Sequence, residues 1–145
     1  MAIIRELRGF TPKFGKDCFL AENAAIIGDV TMGDDCSIWY GTVLRGDVNT
    51  IKIGDRVNIQ DGAVVHTLYE RSVSEIGNDV SVGHNAIIHG AKIGNNVLIG
   101  MGAIIITLTS MLACLCFEYI IQKYLLKQQP TIWDGSALIT GVLLA

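Results

Sequence analysis

His66, His84 and His89 are the only histidines in the 145-residue chain. Two of them close an aliphatic triplet, Val64-Val65-His66 and Ile87-Ile88-His89, and the third stands in Val82-Gly83-His84. Three imidazoles with one open coordination position are the protein half of a catalytic zinc site. A lone histidine on a repeat surface is usually no more than a hydrogen-bonded side chain. Three of them near corner positions of consecutive repeats point to metal binding.

Such ligands need a frame, and the sequence supplies a periodic one. Ile76, Val82 and Ile88 recur by sixes, one step of five reaches Ile93, and sixes resume to Ile99 and Ile105. Upstream, Ile53, Ile59 and Val65 keep the same period, and Ile27, Met32 and Ile38 continue it more loosely. Gly54-Asp55, Gly77-Asn78-Asp79 and Gly94-Asn95-Asn96 punctuate the ladder as corners. A repeat of about six residues is the signature of a parallel β-helix, in which stacked coils bury one aliphatic residue per face. An amphipathic helix would place apolar residues at i, i+3, i+4 and i+7, a pattern absent before Ile105. An antiparallel sandwich would show longer alternating strands at wider spacing.

The interval from Val65 to Ile76 exceeds one step. It reads as a step plus a polar insertion, Thr67-Leu68-Tyr69-Glu70-Arg71-Ser72. On that parse Val65 and Ile88 share a face, so His66 and His89 stack on neighbouring coils at roughly the 4.8 Å strand spacing. Two imidazoles so placed can reach one metal at about 2.1 Å each. His84 lies on the preceding face and points away from the pair. The simplest way to unite the three is across a subunit boundary, with His84 of one chain meeting His66 and His89 of the next, and three-fold closure makes equivalent sites.

Composition narrows the function classes. The length is enough for one domain. Half of the residues are hydrophobic, and the net charge is −3, so no basic footprint points to nucleic acid. Cys18, Cys36, Cys114 and Cys116 show no CxxC zinc or redox spacing. No secretory signal opens the sequence, so free thiols in a reducing, cytoplasmic setting are expected. Pro12 and Pro130 are the only prolines among 16 glycines, a balance that belongs to tight corners.

Residues 1–105 resemble the γ-class carbonic anhydrase family of left-handed parallel β-helix proteins. The matching segments are Ile26-Ile27-Gly28-Asp29-Val30, Ser37-Ile38-Trp39-Tyr40, Leu44-Arg45-Gly46-Asp47, Asn58-Ile59-Gln60-Asp61-Gly62, Val64-Val65-His66, Val82-Gly83-His84, Ile88-His89-Gly90 and Leu98-Ile99-Gly100-Met101-Gly102-Ala103. The resemblance implies a homotrimer with Zn2+, or Fe2+ or Co2+, held between subunits by His66, His84 and His89. It implies an inter-subunit ion-pair network of Arg45, Asp47 and Asp61. It also implies that Gln60 and Asn58 orient bound water and substrate, while Arg45 steers the anion. The implied reaction is reversible hydration of carbon dioxide to bicarbonate by a metal-bound hydroxide, which the metal makes available near neutral pH. Asn58 and Gln60 could equally be corner amides, and Arg45, Asp47 and Asp61 could be purely structural.

The sequence departs from the family pattern in places. Val48 stands where the best-characterised active members carry an acid that helps move protons, leaving Glu70 and Glu75 as substitutes by proximity alone. Some hexapeptide relatives are acyltransferases or thioesterases that bind acyl-CoA between subunits and use a histidine base. Others are non-catalytic assembly modules of respiratory complexes.

The period fails from Thr107. Met111 to Lys127 reads as a helix whose polar residues Glu118, Gln122, Lys123 and Lys127 cover roughly half the circumference, with i,i+4 neighbours sharing a face, followed by Gln129-Pro130 and a second apolar run from Ala137 to Ala145. No charge occurs from Ile93 to Glu118, so hydropathy allows a membrane contact through residues 107–145. Phe117-Glu118-Tyr119 through Asp134-Gly135-Ser136-Ala137-Leu138-Ile139-Thr140-Gly141 resembles part of the D-type membrane component of Rnf electron-transport complexes and its counterpart in sodium-translocating NADH:quinone reductase. No flavin-attachment motif accompanies it. The expectation is an all-β left-handed β-helix over 1–105 and an apolar helical extension over 106–145, foreign to the family. The helix would then lack its usual terminal coils, and its open end would need an apolar cover.

Overall fold

The computed structural model describes residues 1–106, and every regular element among them is a β-strand. The helical reading of Met111–Lys127 and the apolar run at Ala137–Ala145 lie outside the described residues.

The strands are β1 (Ile3–Arg5), β2 (Phe19–Leu20), β3 (Ala25–Met32), β4 (Ser37–Ile38), β5 (Val43–Ile53), β6 (Asn58–Ile59) and β7 (Val64–His66). They continue with β8 (Ser74–Ile76), β9 (Ser81–Val82), β10 (Ile87–His89), β11 (Lys92–Ile93), β12 (Leu98–Ile99) and β13 (Ile104–Ile106). All pairings between them are parallel, each to the strand one coil away, which is the architecture of a parallel β-helix. The first face runs β1-β3-β5-β7-β10-β13 and the third runs β2-β4-β6-β9-β12. The second face is built from the later halves of β3 and β5, then β8 and β11.

The six-residue ladder becomes three columns of stacked side chains. Ile26, Leu44, Val65, Ile88 and Ile105 fill the first face, Met32, Ile53, Ile76 and Ile93 the second, and Ile38, Ile59, Val82 and Ile99 the third. The ladder is shifted by one residue at its start. Ile26, fully buried, takes the inward place, and Ile27 faces outward half-buried, because strand alternation sends neighbours to opposite sides. Each buried Ile or Val contributes about 1.5–3 kcal/mol of apolar burial, repeated coil after coil.

The corners explain the Gly-Asx punctuation. Gly54 lies so close to the next coil that a Cβ there would stand 2.1 Å from Asn78 Oδ1 and 2.9 Å from the Gly77 carbonyl. That approach lets Asn78 Oδ1 accept the Asp55 amide N–H at 2.9 Å, and Asn95 does the same for Asn78 at 2.8 Å. Asp17, Asp35, Arg56, Asp79 and Asn96 complete this corner with φ between 53° and 57°, the left-handed conformation that Asp and Asn tolerate best.

Coils differ mainly at the corner between the first and second faces, where Asp47–Thr50 bulges within β5 and Thr67–Val73 loops out after β7. The insertion expected at Thr67–Ser72 is therefore a loop, closed by an antiparallel bridge between Leu68 and Ser72. Asn49 pins it, its Nδ2 donating to the carbonyls of Ser72 at 3.1 Å and Leu68 at 3.4 Å. These excursions flank His66. Among the described residues no helix is long and apolar enough to cross a membrane.

Candidate metal centre

The first face ends at two corners, and the histidines are divided between them. Strand register puts His66 opposite Arg45 on one side and His89 on the other, all three just past the buried Leu44, Val65 and Ile88. The expected stacking of His66 and His89 holds: their ring centroids are 5.0 Å apart, and His66 Nδ1 lies 3.0 Å from His89 Nε2.

Asp47 stands behind this pair. Its Oδ1 is 2.8 Å from His66 Nε2 and its Oδ2 accepts from Arg45 Nη1 at 3.0 Å. Burial works to raise the Asp47 carboxyl, but the hydrogen bond from His66 and the Arg45 charge outweigh it and hold it below the usual carboxylate range. An ionised carboxylate only accepts, so His66 Nε2 carries the proton shared with Asp47, while Nδ1 faces His89 Nε2 at 3.0 Å and Arg45 Nη2 at 3.4 Å. Burial, with the His66 and Arg45 charges, pushes His89 below the ordinary histidine value, favouring the neutral ring that can donate a lone pair.

This donor set fits a metal. Two nitrogens bound tetrahedrally at about 2.1 Å would lie roughly 3.4 Å apart, close to the observed separation. A carboxylate hydrogen-bonded to the far nitrogen of a ligating imidazole is the usual outer-shell support.

The remaining expected residues occupy the opposite corner or the third face. His84 and Asp61 stack one coil apart, with His84 Nδ1 3.0 Å from Asp61 Oδ2, and both are nearly half exposed. Asp61 therefore does not join Arg45 and Asp47 within one chain, and the ion-pair network splits into two halves. Gln60 sits beside Asp61, and its backbone carbonyl accepts from the buried Thr42 hydroxyl at 2.9 Å. Asn58 belongs to the third face, where its Oδ1 accepts from the Trp39 indole N–H at 2.7 Å and from the Ser37 hydroxyl at 3.0 Å. Glu75 bonds Lys92 Nζ at 3.0 Å on the second face, so it is engaged away from the histidines. Among the described residues no single-chain cluster of three or more metal-binding side chains forms.

Between the two corners the outward surface is apolar. It carries Val43, Val64, Ile87 and Ile104, with Ile87 and Ile104 exposed. The sequence reading missed Asn49 and Ser74, which bond to the loop and the backbone beside His66. Ser74 is fully buried on the second face, and its signal was the alternation Ser74-Glu75-Ile76, which turns a serine inward where the other coils place aliphatic residues.

Comparison with known proteins fits this geometry. The Escherichia coli protein YrdA is 41% identical over 110 residues, 72% of this chain and 60% of that protein. Gamma carbonic anhydrase 2, mitochondrial, of Arabidopsis thaliana is 46% identical over 98 residues, 64% of this chain and 35% of that protein. A solved Bacillus cereus structure described as an acetyltransferase superposes with a TM-score of 0.70 at 42% identity, covering 72% of this chain and 60% of that one. The bacterial transferase hexapeptide (six repeats) model matches residues 11–46, and the NQR2, RnfD, RnfE family model matches residues 64–145. The chain belongs to the hexapeptide-repeat family of gamma carbonic anhydrase homologues and, over residues 64–145, to the NQR2, RnfD, RnfE family. The first 43 residues of that second match are β-helix in register with the coils before them, from β7 through β13. The hexapeptide-repeat part spans about three fifths of YrdA and about a third of the plant relative.

Proposed function

We propose that this chain is a γ-carbonic-anhydrase-like metalloprotein that hydrates carbon dioxide reversibly at sites shared between copies of a left-handed β-helix closed around a three-fold axis. The observation that carries the reading is the division of the histidines. His66 and His89 converge at 3.0 Å at one edge of the first face, and His84 stands at the other edge of the same apolar surface. A chain that packs this surface against a neighbour brings its His84 toward the neighbour's pair, and cyclic closure repeats the contact three times.

When bound, the metal, Zn2+ or alternatively Fe2+ or Co2+, supplies the Lewis acidity that brings the pKa of water toward neutrality. The chain's residues do the rest. Asp47 fixes the His66 tautomer and orientation. Arg45, half exposed and bonded to Asp47, presents a cation that attracts bicarbonate. Gln60 and Asp61 come from the His84 side and complete the pocket wall, with Gln60 orienting the reacting water. Asn58, tied through its oxygen to Trp39 and Ser37, keeps its amide N–H groups free to donate.

The test is stopped-flow carbon dioxide hydration by metal-loaded full-length protein. Activity that disappears in both His89→Ala and His84→Ala supports the reading, and activity indifferent to either removes it. The description of the Bacillus cereus structure as an acetyltransferase favours acyl-CoA chemistry as the second reading. It predicts acyl transfer without metal dependence and no hydration.

A further inference from the structure

The most unusual core residue lies beneath the histidine pair. On the second face, Ser74 stacks between Ile51 and the position of Ala91, and it is wholly buried. A hydroxyl in such a column must find partners, since an unpaired buried one costs about 1–3 kcal/mol. Ser74 Oγ donates to the His66 carbonyl at 2.5 Å and accepts the Gly90 amide N–H at 3.0 Å. The Gly90 N–H also reaches the His66 carbonyl at 2.9 Å. One hydroxyl therefore bridges the backbone of His66 to the residue that follows His89, at the ends of β7 and β10. It does so across the loop that separates these coils from the second face.

We propose that Ser74 is a positioning residue that sets the spacing of His66 and His89. The inference rests on the metal-site reading above. The strand ladder holds neighbouring coils at about 4.8 Å, and at its end the Gly90 N–H to His66 carbonyl bond is reinforced by the Ser74 hydroxyl, which contacts both groups. His66 and His89 are the last residues of their strands, and the loop Thr67–Val73 begins directly after His66. The Ser74 hydroxyl draws the His66 carbonyl inward and anchors Gly90 to the same point, so the two imidazoles leave the backbone at a fixed separation. Both hydrogen bonds of Ser74 Oγ go to backbone groups and not to an imidazole.

The test uses the full chain as wild type, Ser74→Ala, Ser74→Thr and Ser74→Val. The last two differ by the hydroxyl at nearly constant volume, so any overpacking is common to both. Co2+ alone is the probe, titrated in competition with a chelating indicator. Thermal unfolding and the imidazole 15N spectrum of metal-free protein are recorded beside it. Loss of an outer supporting contact weakens metal binding on the order of 10-fold. Ser74→Ala and Ser74→Val are expected to show that loss and a broadened or shifted His66 Nε2 signal, while Ser74→Thr stays near wild type. Equal Co2+ affinity and equal His66 signals in Thr and Val variants overturn the inference, whatever their unfolding temperatures. If the wild type binds no Co2+, the metal-site reading fails. The 15N comparison of the metal-free proteins then still decides whether Ser74 orders the pair.

Discussion

Replacing Asp47 by Asn keeps the shape of the side chain and removes its charge, so it isolates what the carboxylate does. Asp47 accepts two hydrogen bonds, from His66 Nε2 at 2.8 Å and from Arg45 Nη1 at 3.0 Å. An amide has one oxygen to offer. If it faces His66, its NH2 group confronts the Arg45 donors. If it faces Arg45, the NH2 confronts His66 Nε2, and the ring must move its proton to Nδ1, where a metal would bind. Either arrangement loses one contact, and the second also removes the ligand lone pair. The Arg45 side chain is 48% exposed and Asp47 is 20% exposed, so solvent screens their pairing, and its loss costs folding no more than about 1 kcal/mol. The metal effect is larger. Outer-shell carboxylates are worth 10–100-fold in affinity, about 1.4–2.8 kcal/mol. Competition titration with Zn2+ and a chelating indicator reads the affinity, and urea unfolding of metal-free protein reads the stability. Asp47→Asn is expected to lose affinity in that range with a small change in unfolding midpoint. Unchanged affinity with a clear fall in stability would refute the reasoning and leave Asp47 as a surface partner of Arg45.

Two further outcomes follow from the coil geometry. Gly54→Ala forces a Cβ to within 2.1 Å of Asn78 Oδ1 and breaks the hydrogen bond that the Asp55 amide N–H donates to it, so denaturant unfolding should show a loss of about 1–3 kcal/mol. Stability equal to wild type would mean that the coils separate freely at this corner. Burial pushes the Cys36 thiol up to about 11, with its Sγ against the Gly54 carbonyl at 3.1 Å, while Cys18 is partly exposed. At pH 8 only about one Cys36 in a thousand is thiolate, so iodoacetamide on native protein should label Cys18 well before Cys36 by peptide mass mapping. Equal labelling rates would show that the first coils open.

The β-helix was legible because its period is enforced by a narrow interior that admits one aliphatic side chain per face. Ile76, Val82, Ile88, Ile93, Ile99 and Ile105 stand inward as the spacing requires. The one slip, Ile27 for Ile26, came where the coil carries β3 without a break. Alternation, not a six-residue step, decides there which neighbour points inward. Placing the loop at Thr67–Ser72 was enough to bring His66 beside His89, because register depends only on how many residues leave the ladder. The partners of the site were harder to read. Asp61 is far nearer His66 in sequence than Arg45 is, yet stacking sets Arg45 beside His66 and Asp61 beside His84 at the opposite corner. Asn58 carries no sequence mark of its bond to Trp39, which crosses between coils. Ser74 lies just past the insertion read from the sequence, and its buried place depends on where β8 begins.

One complete site, on this reading, needs residues from two chains. Native mass spectrometry of the full-length protein loaded with Zn2+ tests it most directly, because one spectrum gives both assembly mass and metal count. Three chains with three metal ions are expected, with loss of all three metals in His84→Ala even where the trimer survives. A single chain holding one metal, or a His84→Ala trimer that keeps its full complement, would contradict it.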